Sequence, residues 1–211
     1  MRRATEFSIR LGPNELMNSR VGGSEAALAT MACARIRAVK QPRLLIGGLG
    51  MGFTLRAALA ALGAQARIVV AELVPTVTAW ARGPMVEVFG DSLSDPRVRL
   101  READVGELIR QERSAFDAIL LDVDNGPAGL SRTANDGLYD VAGLRAAHAA
   151  LRVGGVLAVW SSGPDAGFTR RLHKAGFAVE EVAVRANGAR GGARHVVWIA
   201  ARATRAQGKT A

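Results

Sequence analysis

Residues 43–56, RLLIGGLGMGFTLR, decide the fold of this chain. The stretch begins with a short apolar run, Arg43 to Ile46, of the kind that forms a buried β-strand. A glycine cluster from Gly47 to Gly52 follows, and Phe53 to Leu62 then has the apolar spacing of a helix that Gly63 ends. A strand, a glycine turn and a helix in this order predict the first half of a βαβ unit.

The same alternation of apolar runs and helical patterns continues to the end of the chain. Helices are expected from Pro75 through Trp80, over Leu138–Leu151 and around Phe168–Lys174, with a turn at Val153–Gly155. Further strands are expected at Arg67–Glu72, Arg97–Arg101, Phe116–Leu121, Val156–Trp160, Phe177–Arg185 and His195–Ala201. Helices between successive strands imply right-handed crossovers. We therefore predict an α/β, Rossmann-like three-layer sandwich with a mostly parallel sheet, closed by an antiparallel C-terminal edge hairpin.

Three segments are expected along the chain. Residues 1–41 hold a short N-terminal strand or hairpin and a helix, residues 42–202 form the α/β domain, and residues 203–211 form a basic flexible tail. Two uses are open for the N-terminal runs Glu6–Leu11 and Glu15–Ser19. They can form a hairpin over a site in the α/β domain, or they can provide the contact of a homodimer.

Composition excludes several classes of protein. The 211 residues, 49% hydrophobic and 22% charged, suit one globular domain. No apolar run approaches the roughly 20 residues that span a bilayer, and the polar N-terminus lacks the apolar core of a signal peptide. One cysteine, Cys33, cannot form an internal disulfide and predicts an inert buried thiol. A cytoplasmic protein without a membrane contact is expected.

The net charge of +9, from 28 Lys and Arg against 19 Asp and Glu, raises the question of a nucleic-acid partner. Most of the basic residues are single arginines scattered over the whole chain. Aromatic residues make up only 5%, so few rings are present to stack on bases. The sequence thus favours a solvated, arginine-rich surface and no nucleic-acid partner.

In a sheet of this kind, a ligand lies outside the carboxyl ends of the strands. The glycines that follow the first strand, Gly47, Gly48, Gly50 and Gly52, allow the backbone to turn sharply and to approach a ligand closely. Phe53 stands where the dinucleotide fingerprint requires a glycine, and no Gly-Lys-Ser/Thr sequence follows. The dinucleotide and P-loop sites are therefore excluded, although a plain strand–helix turn is also consistent with this cluster.

Polar side chains follow the next three strands as well. Glu72 ends the second strand, where it can accept hydrogen bonds from ribose hydroxyls or can simply be exposed. Asp104 follows the third strand and can bind an adenine amino group or cap the next helix. Asp122 ends the fourth strand, and Asp124 and Asn125 come directly after it. Glycines or polar side chains thus follow four successive strands, and we predict that they line one shared cleft.

The segment from about Gly12 to Trp160 resembles the spermidine synthase (polyamine aminopropyltransferase) family, within the class I S-adenosylmethionine-dependent methyltransferase superfamily. The stretches that carry this resemblance are Leu45–Arg56, Asp95–Leu100 leading to Asp104, Phe116–Asp122 and Leu151–Trp160. The resemblance implies that residues 42–202 bind S-adenosylmethionine or its decarboxylated form without a metal. It also implies the transfer of an aminopropyl group to a small amine such as putrescine.

The resemblance implies a role for each of these residues at the strand ends. Glu72 would hold the ribose, Asp104 the adenine amino group, and the glycines Gly47, Gly48, Gly50 and Gly52 the rest of the cofactor. Asp122 would position and deprotonate the attacking amine beside the cofactor. Asp124 or Asn125 would orient that amine.

The chain departs from the family pattern at four places. The family's second acid after the fourth strand falls at Asn125, although Asp124 beside it can take its place. The family's acid inside the glycine loop is missing from Leu49–Met51, and its Tyr-His-Glu element appears as Gly23-Ser24-Glu25. Most of the family's N-terminal β-domain is also absent, since only about 40 residues precede the first strand. Two alternatives therefore stay open, a small-molecule S-adenosylmethionine-dependent methyltransferase and a non-catalytic ligand-binding relative.

The remaining conspicuous side chains predict packing or surface positions. His148, His173 and His195 lack the spacing of metal ligands. Trp80 and Trp160 are expected in the core. The loop from Ala186 to Arg194 is expected to be a mobile connection, and Ser161–Gly163 can line an acceptor pocket.

Overall fold

The computed structural model describes residues 1–3, 6–123, 126–127 and 136–203. Its strands are β1 (Arg2–Arg3), β2 (Glu6–Leu11), β3 (Asn14–Asn18), β4 (Arg43–Gly47), β5 (Arg67–Glu72), β6 (Val98–Glu102), β7 (Phe116–Leu121), β8 (Leu151–Ser161), β9 (Ala178–Arg185) and β10 (Arg194–Ala201). Its helices are α1 (Gly23–Arg35), α2 (Phe53–Ala61), α3 (Pro75–Arg82), α4 (Val86–Phe89), α5 (Val105–Gln111), α6 (Asp136–Tyr139), α7 (Val141–Ala150) and α8 (Ala166–Lys174).

Seven strands form the main sheet in the order β6-β5-β4-β7-β8-β10-β9. Strands β4 to β8 pair in parallel, whereas β10 runs antiparallel to both of its neighbours. The α/β class, the mostly parallel sheet and the antiparallel C-terminal hairpin at its edge are therefore confirmed. The strand order changes direction at β4, which lies between β5 and β7. The carboxyl end of β4 is consequently the topological switch point at which ligands bind in such sheets.

Two apolar layers cover the two faces of this sheet, because successive side chains of a strand point to opposite faces. In β4, Leu44 and Ile46 pack into one layer and Leu45 into the other. The first layer is completed by α1, α2 and α3, and the second by α5, α7 and α8. This arrangement is the predicted three-layer sandwich.

The prediction of one continuous helix over Leu138–Leu151 is wrong. Two helices, α6 and α7, replace it, and Asp140 separates them. The Asp140 side chain accepts a hydrogen bond of 2.7 Å from the backbone N–H of Gly143, so it caps the start of α7. A shared apolar face was consistent with one helix, but the local capping bond stabilises a new helix start.

The turn predicted at Val153–Gly155 lies within β8. Phe116 of β7 pairs with Leu151, and Ala118 then pairs with Val156, so extra residues of β8 bulge out of the ladder. Gly154, at φ 81°, adopts the left-handed conformation that this excursion needs. The glycines therefore shift the register of a strand and do not separate two elements.

The N-terminal runs form a small antiparallel sheet in the order β1-β2-β3. Phe7 and Ile9 of β2 are buried and join the apolar layer that α1 covers, so this sheet packs on the α/β unit. The predicted tail, residues 203–211, lies outside the described residues except for Ala203. Among the described helices, none is long and apolar enough to cross a membrane.

Candidate active site

A cavity of about 280 Å³ opens outside the carboxyl ends of β4, β5, β6 and β7. Four predicted residues that come from four different strand ends, Gly48, Glu72, Asp104 and Asp122, all line it, as does Gly50. Its remaining lining residues are Ile9, Arg10, Leu16, Met17, Ala71, Leu73, Val74, Val77, Trp80, Ala103, Val105 and Val123. The volume lies near the lower limit of about 300 Å³ for small-molecule pockets.

Glycine is required at the turn after β4. Gly48 has a φ of 89°, and a Cβ atom there would lie 2.3 Å from the backbone oxygen of Asp122. Because backbone atoms cannot move aside cheaply, the loop and the end of β7 approach each other this closely only without a side chain. Gly47 and Gly52 do not line the cavity. They pack against Val105 and Phe89 respectively, so the structure divides the predicted glycines into two that face the cavity and two that pack beneath it.

Glu72 connects the glycine loop to the end of β5. Its Oε2 accepts a hydrogen bond from the backbone N–H of Leu49, and its Oε1 accepts one from that of Val74, both at 2.9 Å. The residue is 7% exposed. Each carboxylate oxygen can accept a second bond, so Glu72 can hold the loop and still present acceptors to a ligand in the cavity.

Asp104 is the N-cap of α5. Its Oδ1 accepts a hydrogen bond of 3.1 Å from the backbone N–H of Glu107, which is the structural role that the sequence left open. The residue also lines the cavity. Capping and ligand binding are therefore compatible here, because the capping bond uses one oxygen of the carboxylate.

Asp122 lies at the end of β7, beside the glycine loop. Thr54 of α2 donates a hydrogen bond of 2.6 Å from its hydroxyl to Oδ2 of Asp122. Burial and the nearby carboxylate of Glu25 raise the pKa of Asp122 to about 7, although the bond from Thr54 opposes this change. A carboxyl group with this pKa exchanges a proton near neutral pH. Asp124 and Asn125, the other predicted catalytic residues, lie outside the described residues.

A second polar group lies at the start of α1, where Ser24 and Glu25, which were singled out in the sequence, meet a histidine that was not predicted to be near them. The Ser24 hydroxyl is 2.6 Å from Oε2 of Glu25, to which it donates, and 2.9 Å from Nδ1 of His195 on β10. When the serine proton points to Glu25, His195 must donate from Nδ1. Burial lowers the pKa of His195, and the Glu25 carboxylate opposes this effect. An imidazole therefore lies within hydrogen-bond distance of Ser24.

No local pattern marks this pairing, since 171 residues separate Ser24 from His195. The link depends on β10, which brings His195 back to the carboxyl edge of β8. There its ring meets that of Trp160 edge to face, with centroids 4.8 Å apart. The loop after β9 contributes as well, because the backbone oxygen of Ala186 accepts from the N–H groups of Gly23 and Ser24. Part of the loop expected to be mobile therefore holds the start of α1.

The two tryptophans differ in position. Trp160 is buried, as expected, but Trp80 is 39% exposed and forms part of the cavity wall. The expectation that Trp80 lies in the core was wrong, because α3 packs Val77 and Ala81 into the apolar layer and leaves Trp80 at the cavity. Leu73, which is 43% exposed, also lines the cavity, so these two side chains provide an apolar surface inside it.

The described residues show neither a reactive cysteine nor a metal site. Cys33 is buried, and burial raises the pKa of its thiol to about 11, which disfavours the reactive thiolate. Within the described ranges, no group of three or more His, Cys, Asp or Glu side chains is arranged to hold a metal ion.

Solved structures share this fold. A spermidine synthase in complex with the transition-state analogue AdoDATO aligns with a TM-score of 0.70 at 20% identity, over 89% of this chain and 62% of its own. The spermidine synthase of Thermotoga maritima gives a TM-score of 0.68 at 21% identity, with the same coverage. Human methyltransferase-like protein 13, solved with SAH, gives 0.62 at 22% identity over 87% of this chain and 83% of its own.

These similarities establish the fold that the sequence predicted. The chain spans 62% of the length of the two spermidine synthases. No protein-family model and no curated protein matches the sequence.

Proposed function

We propose that this protein is a transferase that binds S-adenosylmethionine or its decarboxylated form in the cavity and transfers an aminopropyl group to a small amine such as putrescine. The observation that carries the proposal is Asp122, a carboxyl group with a pKa of about 7 at the switch point of the sheet. Two of the solved structures with this fold are spermidine synthases, one of them with a transition-state analogue bound.

The residues of the cavity fit the proposed cofactor. Glu72 has lone pairs for two vicinal hydroxyls, and Asp104 has a carboxylate oxygen for an exocyclic amine. The exposed surfaces of Trp80 and Leu73 suit a flat heterocycle. Gly48 and Gly50 allow the remaining part of the molecule to lie directly against the backbone.

The chain's own residues perform the acid–base and positioning work. When bound, the cofactor supplies an electrophilic carbon next to a sulfonium. Asp122 would accept a proton from the ammonium group of the acceptor, so that the neutral amine could attack this carbon while the C–S bond breaks and the thioether leaves. The Thr54 hydroxyl fixes the orientation of the Asp122 carboxylate through its bond to Oδ2. The Glu25 carboxylate lies close enough to raise the pKa of Asp122, so it also attracts a cationic amine. Asp124 or Asn125, which follow Asp122 in the sequence, would orient the amine.

Transfer of a methyl group is the second candidate, and two observations favour it. Leu49 and Met51 of the glycine loop are buried apolar residues, so this loop offers no acid to the free amine of the decarboxylated cofactor. Arg10 of β2 lines the same cavity and supplies a cation for the carboxylate of ordinary S-adenosylmethionine.

Two measurements test the proposal. Calorimetry with S-adenosylmethionine, its decarboxylated form and methylthioadenosine identifies the cofactor. Mass spectrometry of putrescine incubated with the protein and the decarboxylated cofactor should show the gain of one aminopropyl unit. Methylated amine in parallel reactions with S-adenosylmethionine would favour the second candidate. Binding without any product would indicate a non-catalytic relative, and absence of binding would refute both enzyme proposals.

Single substitutions distinguish the residue proposed to accept the proton from the residue proposed to bind the cofactor. Asp122→Ala should abolish product formation and leave the cofactor dissociation constant within about twofold, because the proton acceptor is lost and the ribose contacts remain. Glu72→Gln should raise that dissociation constant about tenfold, the effect of about 1.4 kcal/mol of lost hydrogen bonding. A large loss of cofactor affinity in Asp122→Ala would contradict the role assigned to this residue.

A further inference from the structure

A second cavity, of about 550 Å³, lies on the sheet face that α5 covers and extends from the amino ends of β4 and β5 along the edge strand β6. Five arginines line it together with Glu112 of the segment after α5. We call it the arginine groove; its arginines are Arg43, Arg67, Arg97, Arg99 and Arg101, and its other lining residues are Leu44, Leu45, Ile68, Val69, Pro96, Leu108 and Phe116.

Strand register explains how arginines far apart in the sequence come together. Arg43 of β4 lies directly opposite Arg67 of β5, and neighbouring strands are about 4.8 Å apart. Arg97 directly precedes β6, the next strand of the sheet, and its backbone oxygen accepts from the N–H of Ile68. Arg99 and Arg101 follow along this edge strand, about 6.8 Å apart and on one face, because side chains alternate in a strand. Arg43, Arg67 and Arg97 therefore form a row across three neighbouring strands. Arg99 and Arg101 continue from the end of this row along the edge strand.

The charges of this groove are largely uncompensated. Arg97 pairs with Asp95 at 2.8 Å and also donates to the backbone oxygen of Leu62. The other four arginines have no ion pair within 4.0 Å in the described part of the chain. Glu112 is the one acid among the lining residues. A concave surface with excess positive charge concentrates anions.

We propose that the arginine groove binds the phosphate backbone of a single-stranded nucleic acid. Guanidinium groups bind phosphate oxygens in a bidentate manner, and the arginines repeated along the edge strand can contact successive phosphates. Phe116, the one aromatic residue of the lining, is 3% exposed and is not available to stack on a base. The arginines would therefore contact phosphates alone, and such contacts do not depend on the base sequence. This inference revises the expectation drawn from scattered arginines, because the fold collects them on one surface.

Anisotropy measurements with a labelled single-stranded oligonucleotide of mixed sequence test the proposal between 50 and 200 mM salt. Phosphate contacts by the four unpaired arginines predict a slope of about −3 for log K against log salt, at about −0.7 per contact. Arg99→Gln/Arg101→Gln should halve this slope and weaken binding at least tenfold at 50 mM salt. The matched control is Arg37→Gln/Arg82→Gln, which removes the same charge from exposed sites on and after the helices of the opposite face. It should change the affinity less than twofold.

Several results would overturn the proposal. An equal loss of affinity in both double variants would show that only the overall charge matters. Equal affinity for polyglutamate would show that phosphate is not recognised, and equal affinity for a duplex of the same sequence would exclude a single-strand groove. Absence of binding at 50 mM salt would refute it directly. The outcome is independent of the proposed transferase activity, since Asp122→Ala should bind the oligonucleotide as the unmodified protein does.

Discussion

The half-buried carboxyl group of Asp122 links the proposed chemistry to the stability of the fold. Its pKa of about 7 lies above the ordinary value of 3.8, so the folded state holds this proton more firmly than the unfolded chain does. Between pH 4 and pH 7 the unfolded chain binds fewer protons at this group, and the free energy of unfolding therefore falls as the pH rises. Above pH 7 the carboxylate is charged in the folded state, and the full penalty for its poor solvation is present.

Because the free energy of unfolding falls as Asp122 loses its proton, Asp122→Asn should stabilise the protein at high pH. The amide removes the poorly solvated charge and keeps an oxygen that accepts from Thr54. The melting temperature should match that of the unmodified protein near pH 4 and exceed it by about 5 °C at pH 8. This difference corresponds to a penalty of about 2 kcal/mol, because each kcal/mol shifts Tm by roughly 2–4 °C at this size and solvent reduces the penalty at a partly exposed side chain. Calorimetry at both pH values measures the difference, with Asp91→Asn at an exposed site as the control. A lower Tm for Asp122→Asn at pH 8 would contradict the raised pKa.

Glu25 gives a second prediction at this scale. Because its carboxylate raises the pKa of Asp122, Glu25→Gln should lower that pKa and move the rise of kcat/KM with pH toward lower pH. The matched control, Ser24→Ala, removes the hydroxyl between Glu25 and His195 and keeps the charge of Glu25. A pH profile of each variant measures the shift. An unmoved profile in Glu25→Gln would show that this carboxylate does not act on Asp122.

The residue scale also shows what the sequence can predict. Gly48, Glu72, Asp104 and Asp122 follow strands directly, and strand ends are visible in the apolar pattern, so their convergence was predictable. The contact between Ser24 and His195 was not, because it depends on the pairing of β10 with β8. Such a tertiary contact leaves no spacing in the sequence.

At the scale of elements, the turn between β4 and α2 connects fold and site. Its conformation requires glycine at Gly48, where both the positive φ and the backbone oxygen of Asp122 exclude a side chain. Gly63, after α2, serves as a matched glycine elsewhere, because a Cβ atom added there would have no neighbouring atom within 4 Å. The two positions therefore separate the effect of losing a glycine from that of deforming this turn.

Gly48→Ala should lower the free energy of unfolding by at least about 2 kcal/mol, because a strained left-handed residue costs about 1–2 kcal/mol and the clash adds to it. Gly63→Ala should stay within about 0.5 kcal/mol. Urea unfolding of both variants measures the difference, and calorimetry should show that Gly48→Ala also loses cofactor binding. Similar stability of the two variants would mean that the turn can rearrange.

Element boundaries were predicted less well than the elements themselves. The strands follow from apolar runs, since a parallel sheet buries both faces of its central strands. The break between α6 and α7 depends on one capping bond of Asp140, and the bulge in β8 depends on Gly154. Both are local choices among conformations that the same apolar pattern allows.

For the whole molecule, the fold separates charges that are mixed in the sequence. Glu72, Asp104 and Asp122 lie at the carboxyl ends of the parallel strands, whereas the arginines of the groove lie at the amino ends of β4 and β5 and along the edge strand β6. Counting residues gives the net charge of +9 but not this separation, because the register of the sheet determines it. A cationic amine therefore meets a repulsive overall field and an attractive local one.

This opposition predicts an unusual dependence of the proposed reaction on salt. Raising the ionic strength from about 0.01 to 0.15 M shortens the Debye length from about 30 to 8 Å, which screens the distant arginines more than the carboxylates of Glu25 and Asp122 at the site. For a dicationic acceptor such as putrescine, kcat/KM should therefore rise about two- to fivefold, since the steering of charged ligands responds steeply to screening. A singly charged monoamine should show a smaller rise under the same conditions. Steady-state kinetics measures both, and a fall of kcat/KM with salt would mean that the local carboxylates dominate the field even far from the cavity.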